Sequence, residues 1–178
     1  MNKWVPITIL CCLLAPAARA GDFYAGVSIG QSSVDVADEA ASYKPDSTGY
    51  KIYGGYKLLR SFGIEAGYSD FGSFDETQGD VRFDADANAF GIWAVGILPA
   101  TPRLELFAKL GATRWDVKSS FTEDDLTDSS SDTGNDFAYG VGIGYMLSER
   151  IGVRGEWETY KTDGEDIRYG SIGVLFEF

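Results

Sequence analysis

The chain has 178 residues, with 27 Asp and Glu against 15 Lys and Arg, a formal net charge of −12 and no histidine. Such acidity excludes a nucleic-acid partner, whose phosphates demand Lys and Arg. The lack of histidine removes the commonest general base at neutral pH and the commonest metal ligand.

The first element in chain order is a secretory signal peptide over residues 1–20. Asn2 and Lys3 precede an apolar stretch from Val5 to Ala18, and Ala18-Arg19-Ala20 forms a small-x-small cleavage site before Gly21. Pro6 and Pro16 interrupt the stretch, which is too short to span a membrane as a helix. Leu10 before Cys11 is too large for a lipidation site. Cys11 and Cys12 leave with the signal, so the mature chain is expected to hold no disulfide, thiolate nucleophile or cysteine metal ligand. Residues 21–178 then form one domain. No later run approaches the ~18 apolar residues of a membrane helix, so a membrane-spanning form must be a β-barrel.

Eight segments alternate with the period of a strand, each near the ~9–11 residues that a tilted membrane strand needs. They are Phe23–Ser32, Thr48–Leu58, Phe62–Phe71, Ala87–Leu98, Arg103–Trp115, Asp136–Leu147, Ile151–Tyr160 and Ile167–Phe178. In the sixth, Phe137, Tyr139, Val141, Ile143, Tyr145 and Leu147 share one face, opposed by small residues. In the seventh, Ile151, Val153 and Trp157 oppose Arg154, Glu156 and Glu158; in the second, Tyr50, Ile52, Tyr56 and Leu58 oppose Lys51, Tyr53 and Lys57. The fourth is apolar on both faces, and its register stays open. Aromatic residues near segment ends fit interfacial belts, with Tyr68, Phe71, Trp115, Phe137 and Trp157 nearer the outer rim. The last segment puts Ile172, Val174, Phe176 and Phe178 on one face. Its spacing, Ser171-x-Gly173-x-x-Phe176-x-Phe178, resembles the C-terminal signal read by the bacterial outer-membrane assembly machinery.

The connections alternate in length. Leu59–Ser61, Pro99–Pro102 and Ser148–Arg150 are tight turns, whereas Ser33–Ser47, Gly72–Asp86, Asp116–Asn135 and Lys161–Asp166 are longer polar links. Outer-membrane barrels have short periplasmic turns and longer outer loops. The reading is therefore all-β: an eight-stranded antiparallel up-and-down transmembrane β-barrel in the outer membrane of a Gram-negative bacterium. Both termini would be periplasmic, and the long acidic links would be solvated extracellular loops. The loop carboxylates lack the ordered spacing and glycine of a dedicated calcium loop, so no metal and no cofactor is expected.

Phe23–Gly30, Gly63–Asp70, Leu104–Gly111 and Val153–Trp157 resemble the first, third, fifth and seventh strands of the OmpA transmembrane-domain family. The resemblance implies an inward glutamate, here Glu65, and an inward arginine, here Arg154. Larger members of that family carry a peptidoglycan-binding domain after the barrel; this chain is expected to lack it. A second interior pair of the family, a lysine and a glutamate, aligns here with Ala94 and Gly144.

The constellation with physical content is the set of inward charges: Glu65, Arg154, Lys51, Glu105, Lys109, Glu156 and Glu177. Enclosed charges must be paired and hydrogen-bonded, so this set reads as a brace that plugs the cylinder, with an ion gate as the alternative. The expected role is a structural or surface-interaction barrel, not an enzyme. The alternatives are a narrow porin-like channel for small solutes or ions, and a surface adhesin. Expected partners are outer-membrane lipid, lipopolysaccharide and the assembly machinery, with the protein a monomer.

Overall fold

The computed structural model describes residues 23–35, 46–78, 81–123, 126–162 and 166–178. The expected signal segment, with Ala18, Ala20 and Gly21, lies outside the described residues. Eight strands follow one another: β1 Phe23–Asp35, β2 Asp46–Leu59, β3 Phe62–Gln78, β4 Val81–Pro99, β5 Leu104–Glu123, β6 Leu126–Met146, β7 Ile151–Tyr160 and β8 Asp166–Glu177. Each pairs antiparallel with the next, and β8 returns to β1, so the sheet closes into the expected barrel. The last ladder bond runs from the Phe178 amide to the Phe23 carbonyl at 3.0 Å.

The faces follow from period two. Ile29, Ile52, Ile64, Ile92, Leu110, Val141, Trp157 and Ile172 all point outward and are exposed. A soluble protein could not carry such a continuous apolar band, because it would associate through it. Small residues on the inner face let large ones cross the lumen: a Cβ at Gly142 would lie 2.2 Å from the Phe107 ring. In β4 the inward residues are Ala87, Ala89, Trp93, Val95 and Ile97, which settles the open register. Ala94 accordingly faces outward. Phe71 and Trp115 are buried in the lumen, not set in a rim belt. Their odd numbers give them the same side as Glu65 and Lys109, so alternation overrides the tendency of aromatics to gather near strand ends.

The three tight turns are where the sequence puts them. Thr101 Oγ1 accepts from the Leu104 amide at 3.0 Å, and Ser148 Oγ accepts from the Ile151 amide at 3.1 Å. Such side-chain bonds stand in for missing ladder bonds at a turn.

The opposite end differs from the expectation. Gly72–Asp86 and Asp116–Asn135 are not loops. Outside 79–80 and 124–125, they are continuations of β3–β4 and β5–β6, in register from Ser73↔Asp86 to Gln78↔Val81 and from Asp116↔Thr133 to Glu123↔Leu126. β4 also pairs with β5 as far as Val81↔Glu123. A four-stranded sheet therefore stands above the barrel. At roughly 3.3 Å per residue, the outer part of β6 rises some 35 Å beyond its last contact with β7. Among the described residues, no strand covers that edge of β6 between Leu126 and Asp136. Exposed Ser130, Ser131, Asp132 and Thr133 line it, and such polar edges resist uncontrolled pairing.

β3 leaves the barrel through a bulge between Asp70 and Ser73. Gly72 has φ +79°, and its amide donates to Asp70 Oδ1 at 2.9 Å. Ser32 Oγ donates to the Phe71 carbonyl at 2.7 Å, tying β1 to the same corner. A Cβ on Gly72 would meet Ser47 Oγ at 2.3 Å and the Thr48 carbonyl oxygen at 2.4 Å. Gly72→Val is expected to cost roughly 1–3 kcal/mol through the left-handed backbone alone. It should also speed hydrogen exchange of the Ser73–Gln78 amides relative to those of Gly63–Ser69. Equal protection in both segments would mean that the bulge does not hold the hairpin.

Candidate functional site

Charged side chains from four strands converge in the middle of the lumen. β2 supplies Lys51, β3 Glu65, β5 Lys109, and β7 Arg154, Glu156 and Glu158. All are buried, with Lys51 at 0%, Glu65 at 2% and Arg154 at 5% exposure. Arg154 Nη1 donates to Glu65 Oε2 at 2.6 Å, and its Nε lies 2.9 Å from Glu156 Oε1. Lys51 Nζ donates to Glu156 Oε2 and to Glu158 Oε2, both at 2.7 Å. Lys109 Nζ lies 2.6 Å from both Glu156 Oε2 and Glu158 Oε1, and 3.2 Å from Glu65 Oε1. Three cations thus face three carboxylates, which is what enclosed charge requires. Tyr24 donates to Glu65 Oε2 at 2.9 Å. The Arg154 guanidinium stacks 4.0 Å from the Phe107 ring centroid and 4.7 Å from that of Tyr53, so its faces are covered as well as its edge.

Two of the seven charges expected in one constellation are not part of it. Glu105 and Glu177 lie nearer the tight turns and share a different cation, Lys57, at 3.2 and 2.7 Å. This smaller cluster is partly exposed at the barrel mouth. Between the two clusters lies a cavity of about 10 Å³, lined by Tyr24, Val95, Ile97, Phe107 and Leu175 as well as the charges. That is no more than the space of one water.

Glu158 and Lys57 complete the two clusters and stand outside the seven charges grouped from the sequence. Both were legible: Glu158 follows Glu156 by two on an alternating strand, and Lys57 shares parity with Lys51. Charge balance is the signal, since Lys51, Lys109 and Arg154 require a third acid.

On the side of the long hairpins, aromatic rings cap the central cluster. Phe71 packs edge-on against Tyr160 at 4.8 Å and against Tyr169 at 5.7 Å, and Trp93 meets Tyr160 at 6.4 Å between centroids. Tyr160 is also bonded to Ser69 at 2.9 Å and to Glu158 Oε1 at 3.1 Å, which joins the rings to the charges.

A closed eight-stranded barrel, apolar outside and ion-paired within, is the architecture of an outer-membrane protein. The family model described as the outer membrane protein beta-barrel domain matches residues 6–178. The chain belongs to this family. Outer membrane protein A of Klebsiella pneumoniae is 24% identical over 189 residues, covering 93% of this chain and 54% of that protein. The chain thus spans about half the length of that relative. Among solved structures, Ail, the attachment invasion locus protein of Yersinia pestis, superposes with a TM-score of 0.69 at 17% identity, over 90% of this chain and 100% of Ail. That structure holds the heparin analogue sucrose octasulfate. Neisserial surface protein A gives a TM-score of 0.66 at 14% identity, with 90% and 100% covered. As a member of the outer-membrane barrel family, the chain sits in the outer membrane, and its exposed Ile, Val, Leu and Phe side chains meet lipid.

Proposed function

We propose that this protein is a closed, non-conducting barrel that anchors a protruding four-stranded sheet at the cell surface. In this reading the tight turns and both termini are periplasmic. The role is structural or surface-interacting, and not enzymatic. The observation that carries it is the lumen: a balanced six-charge cluster, capped by Phe71, Trp93, Tyr160 and Tyr169, fills the section a solute would have to cross. The carboxylates and amines are engaged with one another, and a chain without histidine offers them no common proton-transfer partner.

Surface interaction is supported by the ordered hairpins, since strands present a fixed surface where a loop would not. The partner chemistry should differ from that of Ail with its polysulfated ligand. The outer segments 72–86 and 116–135 carry many more carboxylates than basic groups, so a polyanion would be repelled. The protein would act as a monomer surrounded by outer-membrane lipid.

Planar-bilayer recording on the purified, refolded protein tests the closed reading. Wild type is expected to add no resolved current steps above the bare bilayer. Stable steps of uniform size would overturn it in favour of the narrow channel.

A further inference from the structure

Each of the three tight turns brings one arginine to the same end of the barrel: Arg60 after Leu59, Arg103 after Pro102 and Arg150 after Glu149. Backbone bonds make the turns fixed points on the rim. The Ser61 carbonyl accepts from the Ile97 amide at 2.9 Å, the Arg103 carbonyl from the Met146 amide at 2.8 Å, and the Arg150 carbonyl from the Glu177 amide at 2.8 Å. Each turn is thereby tied to the strand that follows its own pair. The Thr101 and Ser148 hydroxyls accept from the Arg103 and Arg150 amides, both at 3.3 Å. Successive turns are two strands apart, roughly 10 Å, so the arginines are spread around the rim and not gathered in one pocket.

All three arginines are exposed, and among the described residues no carboxylate forms an ion pair with them. The acids nearby are placed otherwise. Glu105 and Glu177 share Lys57 inside the barrel mouth, and Glu149 is the single acid of the three turns. Lipid-facing neighbours set the height of the ring. Leu59, beside Arg60, is 65% exposed; Leu98, where β4 runs into the turn of Arg103, is 64% exposed. Leu147 and Ile151 flank Arg150 in the same way, at 57% and 44%. These side chains are the last level of the apolar band. Just beyond it lies the headgroup layer, roughly 5–8 Å deep on each side of the hydrocarbon. An arginine there lays its stem along hydrocarbon and puts its guanidinium among the phosphates.

We propose that Arg60, Arg103 and Arg150 form a broken ring that holds anionic phospholipid headgroups at the tight-turn end, one lipid at each turn. The fourth quarter of the rim is the β8–β1 seam, which no turn crosses. Arginine suits the partner because its fork donates bidentately to phosphate. A zwitterionic headgroup brings its own ammonium to compete for that phosphate, whereas an anionic one leaves it to the guanidinium. The opposite end repels the same lipids, since segments 72–86 and 116–135 carry many more carboxylates than basic groups. The barrel therefore offers anionic lipid one end only. The leaflet rests on the reading that the tight turns are periplasmic, which makes these lipids of the periplasmic leaflet.

The test uses the full mature protein in nanodiscs made from equal parts of phosphatidylglycerol and phosphatidylcholine with identical chains. Lipid retained after release is counted by native mass spectrometry. Wild type is expected to keep three phosphatidylglycerols, each preferred roughly five-fold over the choline lipid. Arg60→Gln, Arg103→Gln and Arg150→Gln should each lose one of the three. Sites this far apart should act independently, so the triple Gln variant should keep the two lipids equally. The triple Lys variant, with charge but no fork, should keep part of the preference. Lys118→Gln, an exposed cation at the hairpin end, should change nothing, and inorganic phosphate should not displace the lipids. An unchanged preference in the triple Gln variant overturns the ring, as does an equal loss from Lys118→Gln. Complete loss from one single substitution means one site and not three, and displacement by inorganic phosphate reduces the ring to simple anion contacts; either also overturns the proposal. Should the triple Gln variant fail to fold, the stepwise loss in the single variants is read in its place. A nanodisc offers the same lipids to both ends, so the count stands apart from the orientation. That is read separately by labelling Ser131→Cys on intact cells with an impermeant maleimide. Labelling keeps the lipids in the periplasmic leaflet, and its absence beside an intact lipid count overturns the leaflet alone.

Discussion

Arg154→Met should be among the most damaging single substitutions in the barrel wall, costing about 3–5 kcal/mol. The methionine keeps most of the packing against Phe107 and Tyr53, so the loss is one of charge. Glu65 loses its 2.6 Å partner and is left with Lys109 at 3.2 Å and the Tyr24 hydroxyl. Glu156 loses the 2.9 Å contact to Nε. Three carboxylates would then face only Lys51 and Lys109. Adding Glu65→Gln restores the balance, two acids against two lysines, and most of the loss should return. Denaturant unfolding in lipid vesicles across the double-mutant cycle should show a coupling energy at the upper end of the usual range of roughly 0.5–3 kcal/mol. Strictly additive losses would mean that the two charges do not support each other. Conductance separates brace from gate. A brace leaves the double mutant less heat-resistant and still closed, whereas a gate leaves it stable and conducting.

The membrane-embedded half of this fold was legible because lipid and a narrow lumen impose opposite demands on alternate residues. Phe137, Tyr139, Val141, Ile143 and Tyr145 could only face outward once Gly140, Gly142 and Gly144 faced in. The same parity puts Glu65 and Arg154 on the inner faces of strands three and seven, and their 2.6 Å bond forms there. Outside the membrane no such demand exists. Ser129–Asp136 has no apolar alternation, so it reads as loop, yet its backbone pairs continuously with β5. What orders it is long-range register inherited from the barrel below, which local composition does not encode. The bulge at Gly72 was hidden for a related reason: a single glycine among polar residues marks either a loop or a bulge. The grouping of the charges depended on height along the barrel axis. Glu105 and Glu177 share parity with the central cluster but lie nearer the tight turns, four residues along β5 from Lys109 and four along β8 from Gly173, which pairs with Arg154, and there Lys57 reaches them.

Removing Phe178 is expected to deplete the protein from the outer membrane severalfold while leaving its foldability nearly intact. In the barrel this residue does two separable things. Its amide closes the last ladder bond to the Phe23 carbonyl at 3.0 Å, and its exposed ring packs edge-on against Phe176 at 5.0 Å between centroids. One peripheral hydrogen bond and one exposed aromatic pair are together worth only about 1–2 kcal/mol. Loss of that size should not prevent refolding in detergent. If the terminal aromatic is instead read during assembly, as the Ser171-x-Gly173-x-x-Phe176-x-Phe178 spacing suggests, its loss acts before folding and is large. Phe178→Ser divides the two roles, since it keeps the amide and removes the ring. Fractionation of cells should then show Phe178→Ser as depleted as the deletion, with chain accumulating in the periplasm, and Phe178→Tyr near wild type. Purified Phe178→Ser should still refold in detergent. Should it instead refold poorly in detergent as well, closure of the cylinder is what the ring provides. Normal outer-membrane levels of Phe178→Ser would remove the assembly role from these four residues.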